Sequence, residues 1–447
     1  MAKLAHAQWS SKMTFVLAAA GSAVGLGNIW RFSYMVGDSG GAAFVLVYLA
    51  CVALVGLPIL VAEWMIGRRG QKNPINTMAE LAANHGKSPA WALIGISGVL
   101  AAFLILSFYS VIGGWSLNYT LSSVLGTFNG QDADSIGELF GGMLGSPTTL
   151  LLWHTAFMVL VVGIVARGVT KGLESAARLM MPALIVLMLV LVGYGMASGY
   201  FGEALAFMFR PDWSALTGGV VLAAMGQAFF TLSLGMGIMM AYGSYLGENV
   251  NLISTARTVI ILDTAIALLA GLAIFPIVFA NGLSAGEGPG LIFVTLPLAF
   301  GNMAGGTILG LMFFLLLTFA ALTSAISLLE PVVETLEERT SMSRIGSTLV
   351  SGVAVWLLGV AALLSFNVWS EVLFLGLNIF DLLDTFTSKI LLPLTGLGAI
   401  VFVAWCLKRE TVEAELGLSA TGVSVWNIIA RYVAPVGVII VFVTGLI

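Results

Sequence analysis

Stretches of roughly 20 apolar residues recur along the whole chain, and a helix of that length crosses a hydrocarbon layer about 30 Å thick. Hydrophobic residues make up 59% of the chain and charged residues only 9%, which excludes an ordinary water-soluble domain. The sequence therefore predicts an all-α polytopic membrane protein. About eleven transmembrane helices are predicted, at 13–35, 42–66, 90–120, 148–166, 176–198, 217–245, 257–281, 305–335, 346–364, 378–407 and 426–446.

Basic residues are concentrated in alternate loops, and this pattern predicts the orientation of the chain. The loops after predicted helices 2, 4, 8 and 10 carry Arg68, Arg69, Lys72, Lys87, Arg167, Lys171, Arg339, Arg344, Lys408 and Arg409. The intervening loops at 121–147 and 282–304 contain no Lys or Arg. Since basic loops stay in the cytoplasm, we expect a cytoplasmic N-terminus. Short external loops without cysteine favour a bacterial inner membrane, that is, the plasma membrane.

The first predicted helix contains a run of glycines and small polar residues, Gly21-Ser22-Ala23-Val24-Gly25-Leu26-Gly27-Asn28. Such a run predicts a break in the helix. Backbone amides and carbonyls freed at this depth cannot face lipid, so they must line a cavity enclosed by protein. A second run of this kind, Thr231-Leu232-Ser233-Leu234-Gly235-Met236-Gly237, lies in predicted helix 6.

The two predicted breaks are five helices apart, and an odd offset reverses the direction of a helix in the membrane. Paired breaks in halves of opposite topology indicate an inverted-repeat secondary transporter with a site near the midplane. The alternative is that both runs are small-residue packing faces, although their equivalent positions favour a site. We expect one membrane domain, 1–447, with five-plus-five repeats at about 13–198 and 217–407 and an extra helix at 426–446.

Several motifs follow one another in order along the chain. They are Ala20–Phe32, Gly56-Leu57-Pro58 with Glu63 and Gly67-Arg68, Gln227–Gly235, Gly305-Gly306-Thr307 and Ala320–Ala325. From Trp9 to about Arg431, the chain resembles the neurotransmitter:sodium symporters, and particularly their bacterial hydrophobic amino acid transporters. The resemblance implies sodium-coupled symport by alternating access, with helices 1 and 6 broken.

The resemblance implies two sodium sites built from hard oxygen ligands. The first site maps onto the Ala23 carbonyl, Asn28, Thr231 and Asp263, and the carboxylate of the substrate completes it. The second site maps onto the carbonyls of Gly21, Val24 and Ala320 and the hydroxyls of Thr323 and Ser324. The alternative for these two hydroxyls is a hydrogen bond to a carbonyl one turn earlier.

Asp263 departs from the pattern of the resembled family, in which many members have Asn. Chloride-dependent members have a Ser four residues later, where this chain has Ala267. A carboxylate inside a membrane helix is costly unless a cation compensates it, so Asp263 would supply the negative charge that chloride supplies elsewhere. We expect transport with sodium and without chloride. The alternative is a structural Asp263 that is bonded to a neighbouring helix.

The resemblance also implies a substrate pocket. Its predicted lining is Ser22, Ala23, Leu26, Gly27, Ile105, Tyr109, Phe230, Thr231, Ser233, Met236, Ser324 and Leu328. The amide end of the broken helix suits a carboxylate, to which Tyr109 would donate a hydrogen bond. Monoamine carriers of the family have Asp where this chain has Gly25, so the substrate is expected to bring its own carboxylate. Hydrophobic and aromatic L-amino acids fit this description.

Gates on both sides of the pocket are implied in the same way. Arg31 and Asp384 form the expected outer gate, with Phe230 as a lid, and a snorkelling Arg31 is the alternative. His6 stands where the family often has Arg, and its expected partner at the inner gate is Glu338. Trp9 and Tyr245 are the matching aromatic pair. Glu63 is expected to bridge the two helix breaks.

Functions of other classes have less support. His6, His85 and His154 are scattered, and neither an H-E-x-x-H motif nor a P-loop is present, so an enzyme is not expected. Paired breaks suit alternating access better than a continuous pore. A nontransporting amino acid sensor, or a symporter for another small amino acid or derivative, stays open. The expected partners are a small amino acid and the lipid bilayer, with no nucleic acid and no obligate protein partner.

Overall fold

The computed structural model describes residues 8–286 and 290–446, and these residues form helices connected by short loops. Within this part of the chain, nine helices are long and apolar enough to cross a membrane without interruption. We number the membrane helices in chain order. The nine are α2 (Ala42–Gly70), α3 (Pro89–Val124), α4 (Pro147–Val165), α5 (Val169–Ala197), α7 (Leu252–Ala280), α8 (Gly306–Arg339), α9 (Arg344–Leu364), α10 (Ile379–Cys406) and α11 (Ala420–Thr444).

The remaining two membrane helices, α1 and α6, are broken. Helix α1 consists of Lys12–Ala23 and Gly27–Asp38, which are bent by 52° relative to each other. Helix α6 consists of Gly218–Thr231 and Ile238–Ser244. The prediction of an all-α membrane fold with breaks in helices 1 and 6 is therefore confirmed.

The loops contain further short helices that the sequence reading did not assign. They are Pro74–Asn84, Ala133–Gly145, Phe201–Phe209, Leu291–Asn302 and Arg409–Leu416. Side-chain caps explain two of the starts, because Asn73 and Asp132 each accept a hydrogen bond from a backbone amide of the first turn. Helix α11 also begins six residues earlier than predicted, since Ser419 caps a polar first turn that hydropathy alone does not include.

The break in α6 requires backbone conformations that most residues avoid. Ser233, Gly235 and Gly237 have φ angles of 53°, 75° and 69°, in the left-handed region. Gly235 is also packed directly against the backbone of Leu392 in α10, so a Cβ atom at this position would overlap the Leu392 carbonyl. The glycines in this run are thus needed for both the turn and the close approach of α10.

The helices differ in how far they are shielded from the surroundings. In α8, 72% of the most apolar 18-residue window is buried inside the protein, whereas the corresponding value for α11 is 22%. Helix α8 is therefore a central helix and α11 a peripheral one. Because α8 packs along α3 and against α1, the broken segments lie in the protein interior and not at the lipid surface.

We predict that Gly235→Ala destabilises the protein by at least about 1–2 kcal/mol, the cost of a left-handed conformation for a residue with a Cβ atom. Overlap with Leu392 adds to this cost. Thermal unfolding in detergent measures the effect. Gly163→Ala in α4 is the matched control, because no atom lies within 4 Å of the added Cβ atom, and it should leave the unfolding temperature unchanged or higher. Equal unfolding temperatures for the two variants would contradict the prediction.

Candidate functional site

A cavity of about 20 Å³ lies between the two helix breaks. Its lining is Ser22, Ala23, Gly25, Gly27, Ile105, Tyr109, Phe230, Ser233, Met236, Ile238, Ser324 and Leu328. Ten of the predicted pocket residues are in this list. Leu26 instead lines the next cavity outward, and Thr231 lies beside Asp263. Ile238, the first residue of the second half of α6, was not predicted because it follows the glycine run.

A larger cavity of about 670 Å³ lies elsewhere, between α3 and the short helix Ala133–Gly145. Its lining includes Asn118, Gln131 and Glu138, but it contains no part of either helix break. The smaller cavity is the candidate site, because unwound backbone and side-chain hydroxyls converge on it from several helices.

The amides freed by the break in α1 are satisfied by polar side chains. The backbone N–H of Gly25 donates to Oδ1 of Asn28 at 3.0 Å, and the N–H of Leu26 donates to the Tyr109 hydroxyl at 3.2 Å. The Tyr109 oxygen acts as an acceptor here, and the Ser324 side chain is within hydrogen-bond reach of the same hydroxyl. A ligand in the cavity would therefore compete with Ser324 for the Tyr109 proton. The predicted role of Tyr109 as a donor is compatible with this geometry.

The carbonyl of Ser22 joins three helices at the cavity. It accepts hydrogen bonds from the hydroxyls of Ser233 in α6, at 2.9 Å, and of Ser324 in α8, at 3.1 Å. Gly25 lies on the same side, where a Cβ atom would overlap the Ser324 hydroxyl and lie 3.0 Å from the Tyr109 oxygen. The absence of a side chain at position 25 is what allows α1 to approach α8 this closely.

Asp263 of α7 is fully buried and accepts hydrogen bonds from three other helices. Asn28 donates at 2.7 Å, Thr231 at 3.0 Å and Tyr48 at 3.5 Å. These donors are all neutral, so no protein cation compensates the carboxylate at these contacts. The structure thus joins three of the four predicted ligands of the first sodium site. It adds Tyr48 of α2, which no motif had indicated.

Most of the predicted residues of the second sodium site also lie together, whereas the Ser324 hydroxyl donates to the Ser22 carbonyl at the central cavity. Thr323 Oγ1 is 3.5 Å from the Val24 carbonyl and 3.0 Å from the Ala320 carbonyl, and Gly21 packs against Thr323. Thr323 also bonds back to Phe319 at 3.1 Å, as the alternative interpretation expects. The long contact to Val24 shows that the hydroxyl nevertheless faces the unwound part of α1.

Two buried side chains hold the broken segments from behind the cavity. Glu63 of α2 accepts a hydrogen bond from the Gly235 amide at 2.8 Å. Its second oxygen has no hydrogen-bond partner among the described residues, so the expected bridge from Glu63 to α1 is not formed. Gln227 makes the connection to α1 instead, by donating to the Gly27 carbonyl at 2.7 Å.

The residues of the predicted outer gate line a common cavity of about 60 Å³, together with Leu26 and Tyr34. Arg31 lies over the Phe230 ring, with its guanidinium carbon 4.7 Å from the ring centre. Within the described residues, Arg31 and Asp384 share this cavity without a direct ion pair. Phe230 thus separates the outer cavity from the central one.

At the opposite end, Trp9 packs on the second half of α6. Its indole N–H donates to the Tyr242 carbonyl at 3.0 Å, and its ring lies edge-on to Tyr245 with centres 6.0 Å apart. This matches the predicted aromatic pair. Glu338 accepts hydrogen bonds from the backbone N–H of Asn73 at 3.0 Å. The predicted partner of Glu338, His6, lies outside the described residues.

A contact that the sequence reading missed ties the start of α1 to α5. The Ser10 amide and hydroxyl donate to the carboxylate of Glu174 at 2.6 and 2.7 Å. Arg178 donates to the Ser10 hydroxyl at 2.7 Å. The sequence does show that Glu174 and Arg178 are one helical turn apart and can pair. Only the fold shows that Ser10 contacts this pair.

The chain is similar to known proteins along nearly its whole length. The model of the sodium:neurotransmitter symporter family matches residues 6–134 and 143–447. An uncharacterised sodium-dependent transporter of Bacillus subtilis, YhdH, is 39% identical over 97% of this chain and 96% of its own length. An uncharacterised sodium-dependent transporter of Haemophilus influenzae is 34% identical over 98% of each chain. The crystal structure of MhsT in complex with L-phenylalanine has a TM-score of 0.91 and 47% sequence identity, and covers 98% of this chain and 99% of that one.

We predict that Gly25→Ala destabilises the protein, because the added methyl group overlaps the Ser324 hydroxyl. Ser324→Ala removes that hydroxyl, so the double variant should be more stable than the sum of the single effects implies. A coupling of about 0.5–3 kcal/mol is typical of residues in contact. Unfolding temperatures of the four proteins in detergent measure it, and purely additive effects would contradict the contact.

Proposed function

Because this chain belongs to the sodium:neurotransmitter symporter family, we propose that it imports hydrophobic and aromatic L-amino acids together with sodium by alternating access. The observation that carries the proposal is the convergence of both helix breaks on one cavity, whose lining combines small polar residues with apolar side chains. The relative MhsT, 47% identical, has been crystallised with L-phenylalanine.

The α1 side of the cavity suits the carboxylate of an amino acid. The second half of α1 begins at Gly27, so the backbone amides at its start carry partial positive charge. The Tyr109 hydroxyl lies beside them and can donate its proton to the carboxylate in exchange for its contact with Ser324. Gly25 contributes no carboxylate, which disfavours an amine substrate that lacks its own acid group.

The apolar part of the cavity lining suits an apolar side chain. Ile105, Met236, Ile238 and Leu328 line it, and Phe230 closes it toward the outer cavity. Burial of an aliphatic or aromatic group among these residues removes apolar surface from water. Met236 is unbranched and can adapt to side chains of different shape, so we propose a set of substrates that includes leucine, phenylalanine and tryptophan.

Two sodium ions are proposed as co-substrates. One binds at the Ala23 carbonyl, Asn28, Thr231 and Asp263. The donors that contact the Asp263 carboxylate are neutral, so the sodium ion would supply the compensating positive charge. The other binds at the carbonyls of Gly21, Val24 and Ala320 and the hydroxyls of Thr323 and Ser324. Each net charge that moves inward contributes about 2.3 kcal/mol per 100 mV of membrane potential, which can concentrate the amino acid.

Alternating access uses the two ends of the cavity in turn. At the outer end, Phe230, Arg31 and Asp384 close over a bound amino acid. At the inner end, the contacts of Trp9 with Tyr242 and of Ser10 with Glu174 must break before release. We propose that the repeats at about 13–198 and 217–407 move relative to each other, in a bacterial inner membrane with the N-terminus in the cytoplasm.

The test is uptake of labelled tryptophan, leucine, glycine and a monoamine into proteoliposomes, with an inward gradient of either sodium or potassium. We expect accumulation of tryptophan or leucine with sodium only. Saturable sodium-dependent binding without accumulation would support the sensor instead. Preferential uptake of glycine would contradict the proposed substrate class and support a symporter for small amino acids.

We predict that replacement of chloride by gluconate leaves uptake unchanged, because Asp263 provides the fixed negative charge that balances sodium. Asp263→Asn removes the charge, and uptake at limiting sodium should fall about 10- to 100-fold, the range for a lost charged hydrogen-bond partner. In the double variant Asp263→Asn, Ala267→Ser, part of the uptake should return and depend on chloride. Chloride-dependent uptake by the unaltered protein would refute this assignment.

A further inference from the structure

Arg431 of α11 is an exposed arginine on the membrane helix with the least buried surface. Its Nε–H donates to the Ala404 carbonyl of α10 at 3.0 Å, and its guanidinium carbon lies 5.7 Å from the centre of the Trp405 ring. Within the described chain, its two terminal nitrogens have no hydrogen-bond or ion-pair partner. The protein thus fixes one side of the guanidinium and leaves the forked side open.

The depth of Arg431 places this open side among lipid molecules. Gly437, further along α11, packs against Val55 of α2. The next residue of α2, Gly56, packs against Leu232 in the α6 break. Since the breaks lie near the membrane midplane, Gly437 does so too. Arg431 is about 9 Å from Gly437 along α11, at 1.5 Å per residue. Since half of the hydrocarbon layer is about 15 Å thick, the backbone of Arg431 is within it. The side chain extends toward Ala404, near the end of α10, and so toward the headgroups.

The residues around Arg431 form an ordered aromatic surface. Trp405 and Tyr432 flank Arg431, are 55% and 56% exposed, and meet edge to face with ring centres 6.1 Å apart. Aromatic pairs of this kind are typical of the membrane interface. Both helices are π-helical here, over Phe402–Cys406 and Ile429–Val433, and such bulges often occur at functional sites.

From these observations we propose that Arg431, Trp405 and Tyr432, the Arg431 cluster, bind the phosphate of an anionic phospholipid. The open fork of the guanidinium pairs with phosphate oxygens, and the aromatic rings pack against the glycerol and upper acyl chains. The lipid belongs to the leaflet at the end of α10, where the exposed Lys408 adds positive charge. This proposal depends on membrane insertion alone and not on the identity of the transported substrate.

The test is quenching of Trp405 fluorescence by lipids with brominated acyl chains, with the full chain in phosphatidylcholine vesicles. Brominated phosphatidylglycerol is compared with brominated phosphatidylcholine at equal mole fraction, and subtraction of the Trp405→Phe signal isolates Trp405. We expect about a five-fold preference for phosphatidylglycerol, the contribution of one basic residue near an anionic surface. Arg431→Gln should abolish the preference, and Arg431→Lys should retain part of it, which also shows that the site is folded.

Arg257→Gln is the matched control. Arg257 is exposed near the start of α7, on the same side of the membrane, but among the described residues it has no aromatic neighbour of the kind that flanks Arg431. The preference at Trp405 should survive this substitution. Equal losses in the Arg257 and Arg431 variants would indicate general surface attraction and overturn the proposal. If excess inorganic phosphate abolishes the preference for phosphatidylglycerol, the Arg431 cluster binds a soluble anion. This result would also overturn the lipid proposal.

Discussion

The structure depends on one constraint, which is that every backbone group freed inside a membrane must find a partner within the protein. Both α1 and α6 interrupt their helical hydrogen bonds at buried positions. Asn28 and Tyr109 satisfy amides of the first break, and Glu63 satisfies an amide of the second. Gln227 satisfies a carbonyl at the start of the second half of α1. These partners come from four membrane helices, α1, α2, α3 and α6, so the position of each break depends on the packing of the others.

The same constraint supplies the candidate site with groups of the kind that sodium ions and carboxylates prefer. Carbonyls and hydroxyls that hold the breaks in place are hard oxygen ligands, and one of their contacts is long for a hydrogen bond. Thr323 Oγ1 is 3.5 Å from the Val24 carbonyl. Weak neutral contacts of this kind are exchanged for ion contacts at low cost. Asp263 differs, because its carboxyl group is buried among neutral donors, and an ionised carboxylate in such a place favours a cation beside it.

Much of the fold could be predicted because hydropathy and glycine clusters are local signals. The apolar stretches predicted the membrane helices, and the glycine-containing runs around Gly25 and Gly235 predicted the two breaks. Helix boundaries were less accurate where capping side chains decide the first turn, as at Ser419 before α11. The short helices in the loops were missed because they are too short, or too polar, to resemble a membrane span. Ten predicted pocket residues line the central cavity, since motif order constrains them strongly.

The sequence by itself determined the class of the protein, its all-α membrane fold and the positions of its two helix breaks, because burial of about 20 apolar residues and the cost of unpaired backbone are properties of local segments. Only the tertiary structure decided which side chains complete that site. Tyr48 reaches Asp263, Gln227 replaces Glu63 as the contact to α1, and Ser10 meets Glu174. Each of these contacts joins residues far apart in the chain, and their distance is set by helix packing, which no local pattern encodes.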